Sequence, residues 1–552
     1  MKSANQFLPI DLVNGLAEQQ IQPLGRDISS PVEDVVQREW FTYTGSSRSG
    51  LLTPDISSEQ TQVDETYRAN LEAKLQHHVP IFPLPSTDFL NICIQAYFTK
   101  FHPLFPVIHA PTFRPSANRS LLLLSICSMG SLIVGLSHAK AQGVKIFETL
   151  NKAILASWEG IMSGRGAEVT PMIQAALIGQ TFGLLSGRQK DLFIAQTFHG
   201  TLLAWARRYQ MFKSRKPSDC ISLEDLSRHP QSAWRTWVQA EEQNRIAAAL
   251  HIHDIEFADL FVTDTYLRHT VSKRPTLCDD ELWAATTAEE WSKLMAHHLT
   301  SSQIAENGGA LRKATPRLNA YLELEGIVAS VVESRSLILD TDKSEELANH
   351  VTPTLIRFYT AHIKSQPKQY DKFCLLALWH SIFISITANI DYLELAIGKE
   401  DSRLANSTLI TEYLRTWANS PSGQRAAFHA VLILSHLEQV ALATETPIHI
   451  PRVIFRAAIA WFCYTKYQDN SEPPQLQEIR IVQFPELNEM SINGQKVLSE
   501  ARGSRLERSV MAESSTLCEF IDLLQRMGHW ALSKRLAGIL NLLLPDIDVE
   551  ER

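Results

Sequence analysis

Residues Tyr97 to Leu136 (YFTKFHPLFPVIHAPTFRPSANRSLLLLSICSMGSLIVGL) constrain the fold of this chain more than any other stretch. An aromatic-rich lead-in ends a helix. Pro103, Pro106, Pro111 and Pro115 then each remove a backbone donor and turn the preceding residue away from helix, which predicts an extended connector. Leu121 to Leu136 follows as a helix that is apolar nearly all round, so it belongs in the middle of a core. Ser125, Ser128, Ser131 and Gly135 recur at three- and four-residue spacing and predict one small face where a neighbour comes close. The run is about 16 residues with serines inside it, short of the roughly 20 that cross a bilayer, and reads as buried in protein.

The chain around this stretch is helical in pattern. Runs at Lys145–Met162, Met172–Leu185, Asp191–Arg208 and Ser232–Leu250 lack the alternating Val/Ile/Thr segments that strands need. From Asp64, DETYRANLEAKLQHH is helical until Pro80, Pro83 and Pro85, and Ser86-Thr87-Asp88 offers N-caps for the next helix. Residues 1–65 are polar with turn signals such as GSSRSG, and are expected to be mostly disordered, with a short helix around Val32–Phe41. Thr53-Pro54 is a common dipeptide and a weak phosphorylation candidate. Ser301–Pro316, centred on Gly308-Gly309, is expected to be a loop between a front part (66–300) and a back part (317–552). Gln468–Asn493 reads as a second, proline-containing loop, and 517–544 as one broken or two short closing helices. With 45% hydrophobic residues among 552, a sizeable core is available. The expectation is an all-α fold, a single large helical domain over 66–552 behind a disordered N-terminal segment.

Little in the chain points to chemistry. The formal charge of −8 argues against a dedicated nucleic-acid surface. The most basic stretch, RRYQMFKSRK at 207–216, reads first as a helix end where cations suit the macrodipole, and second as an import or DNA-contacting patch. The seven cysteines, at 93, 127, 220, 278, 374, 463 and 518, form no CxxC-type pair, which excludes a zinc finger, ribbon or binuclear cluster on spacing. Their apolar surroundings suit reduced thiols in a cytosolic or nuclear compartment. The N-terminus lacks the apolar core of a signal peptide, and no membrane-spanning run is expected. His251, His253 and Asp254 tempt as metal ligands, but histidines two apart point to opposite sides of a helix and no further ligand announces itself. Asp279-Asp280-Glu281 lacks the helical-turn spacing of a diphosphate-binding magnesium motif. Dinucleotide, phosphate-loop, nucleophile-elbow and HExxH signatures are absent. No catalytic, cofactor-binding or metal residue is assigned.

Three spaced motifs carry a resemblance. FHPLFPVIHAPTF with its LLLLSICSMGS helix is similar to the opening motif of the fungal-specific transcription factor domain. Trp234, Trp237, Glu241 and Arg245 (WxxWxxxExxxR) resemble its second motif, except that Asn244 replaces an arginine and would forgo that residue's polar contact. Arg274–Trp291 (RPTLCDDELWAATTAEEW) resembles the third, an acidic-Leu-Trp turn and Ala-rich helix ending in Trp. Glu241 and Arg245 stand i,i+4, worth a few tenths of a kcal/mol if exposed. In the back part, 377–401, 424–444 and 450–467 resemble the C-terminal half of the domain in its two-Cys/two-His zinc-finger subfamily, so the likeness covers roughly 30–550.

The resemblance implies a regulator of transcription by RNA polymerase II in a fungal nucleus, of the pathway- or gene-cluster-specific kind, acting through the transcription machinery or co-regulator proteins. Homodimerisation and control of secondary metabolism are compatible with it, a membrane is not implied, and no enzyme activity is expected. In the family DNA is read by a zinc module upstream. That module is missing from this sequence, so zinc is expected only in an upstream or partner module, and DNA is expected to be reached indirectly or through it. The chain would then be a fragment or a regulator that does not bind DNA itself. The competing readings are an all-α enzyme of secondary metabolism, which needs an apolar pocket with convergent acids, and a non-DNA-binding helical scaffold.

Overall fold

The computed structural model of the protein describes residues 32–40, 64–76, 84–116, 119–157, 169–213, 221–269, 274–306, 317–334, 341–364, 371–400, 402–440, 445–468, 484–501, 510–526 and 530–544. Among them every regular element is a helix. The front helices are α1 (Val32–Glu39), α2 (Glu65–Gln76), α3 (Thr87–Ala96), α4 (Ser120–Val134), α5 (Ser137–Ala156), α6 (Val169–Leu185), α7 (Gln189–Arg208), α8 (Leu223–Arg228), α9 (Pro230–Phe261), α10 (Asp280–Ala284) and α11 (Ala288–Glu306). The back helices are α12 (Arg317–Glu333), α13 (Thr341–His362), α14 (Leu375–Thr387), α15 (Ile390–Ala396), α16 (Ser402–Ala405), α17 (Thr408–Ala418), α18 (Pro421–Leu437), α19 (Ile450–Lys466), α20 (Pro485–Glu489), α21 (Gly494–Ala501), α22 (Val510–Arg526) and α23 (Ala531–Asn541). None of the described helices is long and apolar enough to cross a membrane.

Local chemistry starts several of these helices, at Ser86 as expected. Ser86 accepts from the Phe89 amide at the head of α3, and Ser420 caps α18 with Pro421 at its first position, where a missing N–H costs nothing. Every residue of α4 except Leu121 is buried. Its serines turn their hydroxyls back onto the helix's own carbonyls, Ser125 to Leu122 and Ser128 to Ser125, so the polar groups are satisfied inside the core. The small face works as a crossing point. A Cβ on Gly143 of α5 would stand 1.7 Å from the Ser131 hydroxyl oxygen, and one on Gly130 would stand 2.0 Å from the Cys93 carbonyl oxygen of α3. Gly135 has another job: at φ 78° it ends the helix as a left-handed cap.

Helix α9 is the element on which the front and back parts both rest. Its 32 residues make it roughly 48 Å long. It packs against α6 and α7 on one side, α8 and α11 on another, and α12 of the back part. The sequence pattern predicts its end at Leu250, yet it continues to Phe261, and all residues from Asn244 to Leu260 are buried. HIHDIEFAD has no apolar stripe because polar partners, not only apolar ones, surround it. Apolar side chains from both parts, Val36 to Leu540, join one contiguous core, and a smaller second cluster gathers around Trp234, Trp237, Trp283 and Trp291.

Several expectations change. The proline connector after Phe101 is not extended: it turns at 102–105 and closes a 3-10 turn at Ala110–Thr112. The first part of the expected 301–316 loop is the end of α11, while 307–316, with Gly308-Gly309, lie outside the described residues. The expected loop at 468–493 contains α20. There Glu486 is fully buried and accepts both Nε (2.7 Å) and Nη2 (2.8 Å) of Arg425, with His429 Nε2 at 3.3 Å. A solvent-facing reading fails for that carboxylate because its cation comes from a helix 61 residues away. In the basic stretch, Arg207 and Arg208 stand in the last turn of α7, as the helix-end reading has it, the Arg207 guanidinium also donates to the Tyr266 carbonyl (2.8 Å), and 214–216 lie outside the described residues. So do 1–31 and 41–63, on which most of the expected disorder and Thr53-Pro54 fall; the short helix near Val32 is present as α1.

Candidate functional site

The three spaced motifs meet at one place beside the first half of α9. His109, from the connector, enters edge-on among three indoles: Trp234 (ring centres 5.7 Å apart), Trp237 (6.4 Å) and Trp283 (4.7 Å), at interplanar angles of 84°, 88° and 70°. Such edge-to-face contacts place the positive ring edge on the negative indole face. The His109 amide donates to Glu242 Oε1 (3.0 Å) and its Nδ1 meets the Thr112 hydroxyl (2.8 Å). Burial first, and then the Arg245 charge, push the imidazole down to about 3, so it is neutral. Trp291, fully buried, closes the group against Trp237 at 5.4 Å.

One turn along α9, Glu241 takes Arg245 Nε (2.9 Å) and the Cys278 amide (3.0 Å), which fastens the third motif to the second. The Arg245 guanidinium lies 4.0 Å above the Trp283 ring. Glu241 and Arg245 are each only 2% exposed, so this is a buried pair, and the few tenths of a kcal/mol of an exposed pair do not apply to it. Asn244, where an arginine contact was expected to be lost, points its amide at Glu241 Oε2 (3.5 Å). Replacing Trp283 or Trp291 by Ala is therefore expected to cost about 3–5 kcal/mol of stability. Thermal unfolding checks this; a variant melting like the parent but functionally dead would mean that the indoles serve a ligand and not the fold.

The second half of α9 carries a buried polar network. Asp254 accepts four bonds: His199 Nε2 (3.1 Å), His269 Nε2 (3.0 Å) and the amides of Tyr266 (3.0 Å) and Leu267 (2.7 Å). Burial works against its charge, but the two imidazoles and the backbone hold it below the usual carboxylate range. His251 Nδ1 meets His269 Nδ1 (3.2 Å), and His253 lies between Gln180 Oε1 (3.3 Å) and Thr181 Oγ1 (3.1 Å). Sequence reasoning found no companions for His251, His253 and Asp254. The fold supplies His199 from α7 and His269, and His269 with the Tyr266 and Leu267 amides fastens the 262–269 turn onto the helix. Among the described residues no group of His, Cys, Asp or Glu has the arrangement to hold a metal ion.

At the end of α9 buried acids converge: Glu256 and Asp259 are engaged by arginines, while Glu325 of α12, fully buried beside them, has neither carboxyl oxygen in a hydrogen bond, and burial first, then the Glu256 charge, hold its carboxyl well above the usual range. Arg452 of α19 grips Glu256 through Nη2 (2.8 Å) and Nε (3.2 Å) and also contacts Asp259, which it shares with Arg456. Lys399 binds Glu394 (2.8 Å) and Asp391 (3.3 Å). Burial opposes the Arg452 charge, but Glu256 and Asp259 more than restore it. The gap beside this seam, lined by Val328, Ser381, Asn389 and Arg452, is about 10 Å³, and a second between Phe147, Gln180 and Trp205 about 30 Å³; such spaces suit a water or two, not a substrate. No signal local to α9 or α19 predicts this seam, since its partners lie 193–197 residues apart.

Residues 94–361 match the family described as the fungal specific transcription factor domain. Among curated proteins, the chain is similar to a transcription factor of Gibberella fujikuroi (24% identical over 449 residues, 79% of this chain and 56% of that protein). It is also similar to a nicotinate catabolism cluster-specific transcription factor of Emericella nidulans (27% over 277 residues, 48% and 30%) and to zinc finger protein klf1 of Schizosaccharomyces pombe (26% over 206 residues, 37% and 26%). The matched part thus spans about half, or less, of the length of these relatives. No solved structure matches the chain.

Proposed function

The chain carries a fungal specific transcription factor domain over residues 94–361, and from that premise we propose that it regulates a pathway- or gene-cluster-specific set of RNA polymerase II genes in the nucleus, through contacts with other proteins. The observation that carries this reading is the junction of His109, Trp237, Arg245 and Trp283: the residues that carry the resemblance are buried and spent on holding the front part together. What is left to act is the outer surface of a rigid helical body, which suits protein contacts. The relative from Emericella nidulans, named for one catabolic gene cluster, supports pathway specificity. The sealed seam at Arg452 gives no support to an enzyme.

In this reading residues 66–552 act as one regulatory unit behind the 1–65 segment, the chain itself holds no zinc, and DNA is read by a zinc module outside it. A chain of −8 charge neutralises few phosphates, so its affinity for duplex DNA is expected at the non-specific level, about 10⁻⁴ M or weaker at physiological salt. Fused to a foreign DNA-binding module, the chain is expected to change a reporter's output. A silent reporter, with the fusion expressed and nuclear, counts against regulation; a sequence-specific dissociation constant tighter than about 10⁻⁷ M in an anisotropy titration counts against the indirect route to DNA.

A further inference from the structure

Helix α1 has only eight residues. An isolated helix shorter than about 12 residues is marginal in water, so α1 owes its form to what it lies on. Its bed belongs to the back part: it contacts α16 and α23. Val36 and, four residues on, Trp40 are the anchors, 0% and 1% exposed, and the Trp40 indole meets Phe455 of α19 edge-on at 5.7 Å. Arg535 of α23 closes the far end. Its Nε donates to the Glu39 carbonyl (3.1 Å) and its Nη2 to the Trp40 carbonyl (3.5 Å), carbonyls that a helix end leaves without intrahelical partners. Its Nη1 donates to the Gly187 carbonyl in the α6–α7 turn (3.1 Å).

The bed is shaped for a backbone as well as for side chains. Gly398 holds φ +104°, and a Cβ there would stand 2.4 Å from the Glu33 carbonyl oxygen, so only glycine lets the helix come this close. Apolar surface continues beside the helix: Val32 is 48% exposed, and Leu404 on the adjoining α16 is 41% exposed. An aliphatic residue, an aromatic four residues later and captured terminal carbonyls are how a groove recognises a short amphipathic helix as a ligand.

We propose that α16, α19 and α23, with Gly398 and Arg535, form a helix-binding groove, and that residues 32–40 are its resident ligand, bound from within the same chain and able to leave without unfolding the rest. The groove takes amphipathic helices with an aliphatic–aromatic pair spaced i,i+4, and α1 guards it by competition. A cis ligand acts at an effective concentration of roughly millimolar, so the groove opens only to a partner that competes at that level.

Hydrogen exchange on the full chain tests separability. Amides of 33–40 are expected to exchange by local opening, at least about tenfold faster than those around Phe455 in α19, and Arg535→Ala is expected to speed the former about tenfold further while leaving the latter unchanged. Occupancy is tested with a fluorescent peptide of residues 30–43. It is expected to bind saturably to the full chain carrying Trp40→Ala, whose groove is vacated, and at least about tenfold more weakly to the unaltered chain; a peptide that itself carries Trp40→Ala is expected not to bind. The proposal is overturned if 33–40 exchange only together with α19, if either variant unfolds the whole chain, or if the peptide binds both chains alike or neither.

Discussion

Acidifying the protein from pH 7 to about 5 is expected to destabilise it, with the loss beginning near 6.5 and not near 4. Five histidines, His109, His251, His253, His380 and His449, are at most 1% exposed. Burial is the first cause that lowers each of them, to about 3 for His109, to about 4 for His251 and well below the ordinary value for the others. Neighbouring cations or imidazoles, Arg245, His269, His199, His429 and Arg452, add to the effect. The sign follows from linkage. Below pH 6.5 the unfolded chain takes up protons that the folded chain refuses, so stability falls as pH falls. At pH 5.5 each such histidine costs on the order of 1 kcal/mol, and part of the sum is returned by Asp191, raised to about 6 by burial, and by Glu242 and Glu325, also raised by burial, which take up protons in the folded state before the unfolded chain does. The depressed carboxyls, Asp254 and Glu486 (the latter at about 2), lose their stabilising contribution only when pH falls through the ordinary carboxylate range near 4, below this window. Chemical denaturation followed by tryptophan fluorescence and far-ultraviolet circular dichroism at each pH checks the claim, and an unchanged midpoint from pH 7 to about 5 would sink it.

Arg452→Ala is expected to harm the fold as much as the loss of a buried indole. It strips Glu256 of its partner and leaves Asp259 to Arg456 alone, at a seam where α9 of the front part meets α19 of the back. Removing one member of a buried pair leaves an uncompensated charge and costs about 3–5 kcal/mol, whereas exchanging the pair for apolar residues of similar volume is far milder. Chemical denaturation is thus expected to place Arg452→Ala several kcal/mol below the parent, and Arg452→Met combined with Glu256→Leu well above the single variant. A loss below about 1 kcal/mol for Arg452→Ala would mean that the two parts are held by apolar contact alone.

The sequence by itself determined that the chain is helical and where several of its helices lie, though not where α9 ends or that α20 forms. Leu121–Leu136 is apolar on every side, and a chain with such a segment and no strand pattern has to wrap other helices around it. Ser86 marks a helix start because capping is a matter of residues within one turn. The order of the motifs also told that His109, Trp237 and Trp283 belong to one family of domains, though not that they touch. Tertiary structure alone decided which polar groups become partners. Glu486 reads as a loop residue until Arg425 meets it, and HIHDIEFAD reads as the end of α9 until His199, His269 and Arg452 arrive from other helices. The physical reason is range. Periodicity and capping act over a few residues and are written locally, while a buried charge or imidazole is tolerated only when a partner from elsewhere in the chain replaces its water, and no local pattern records where that partner lies.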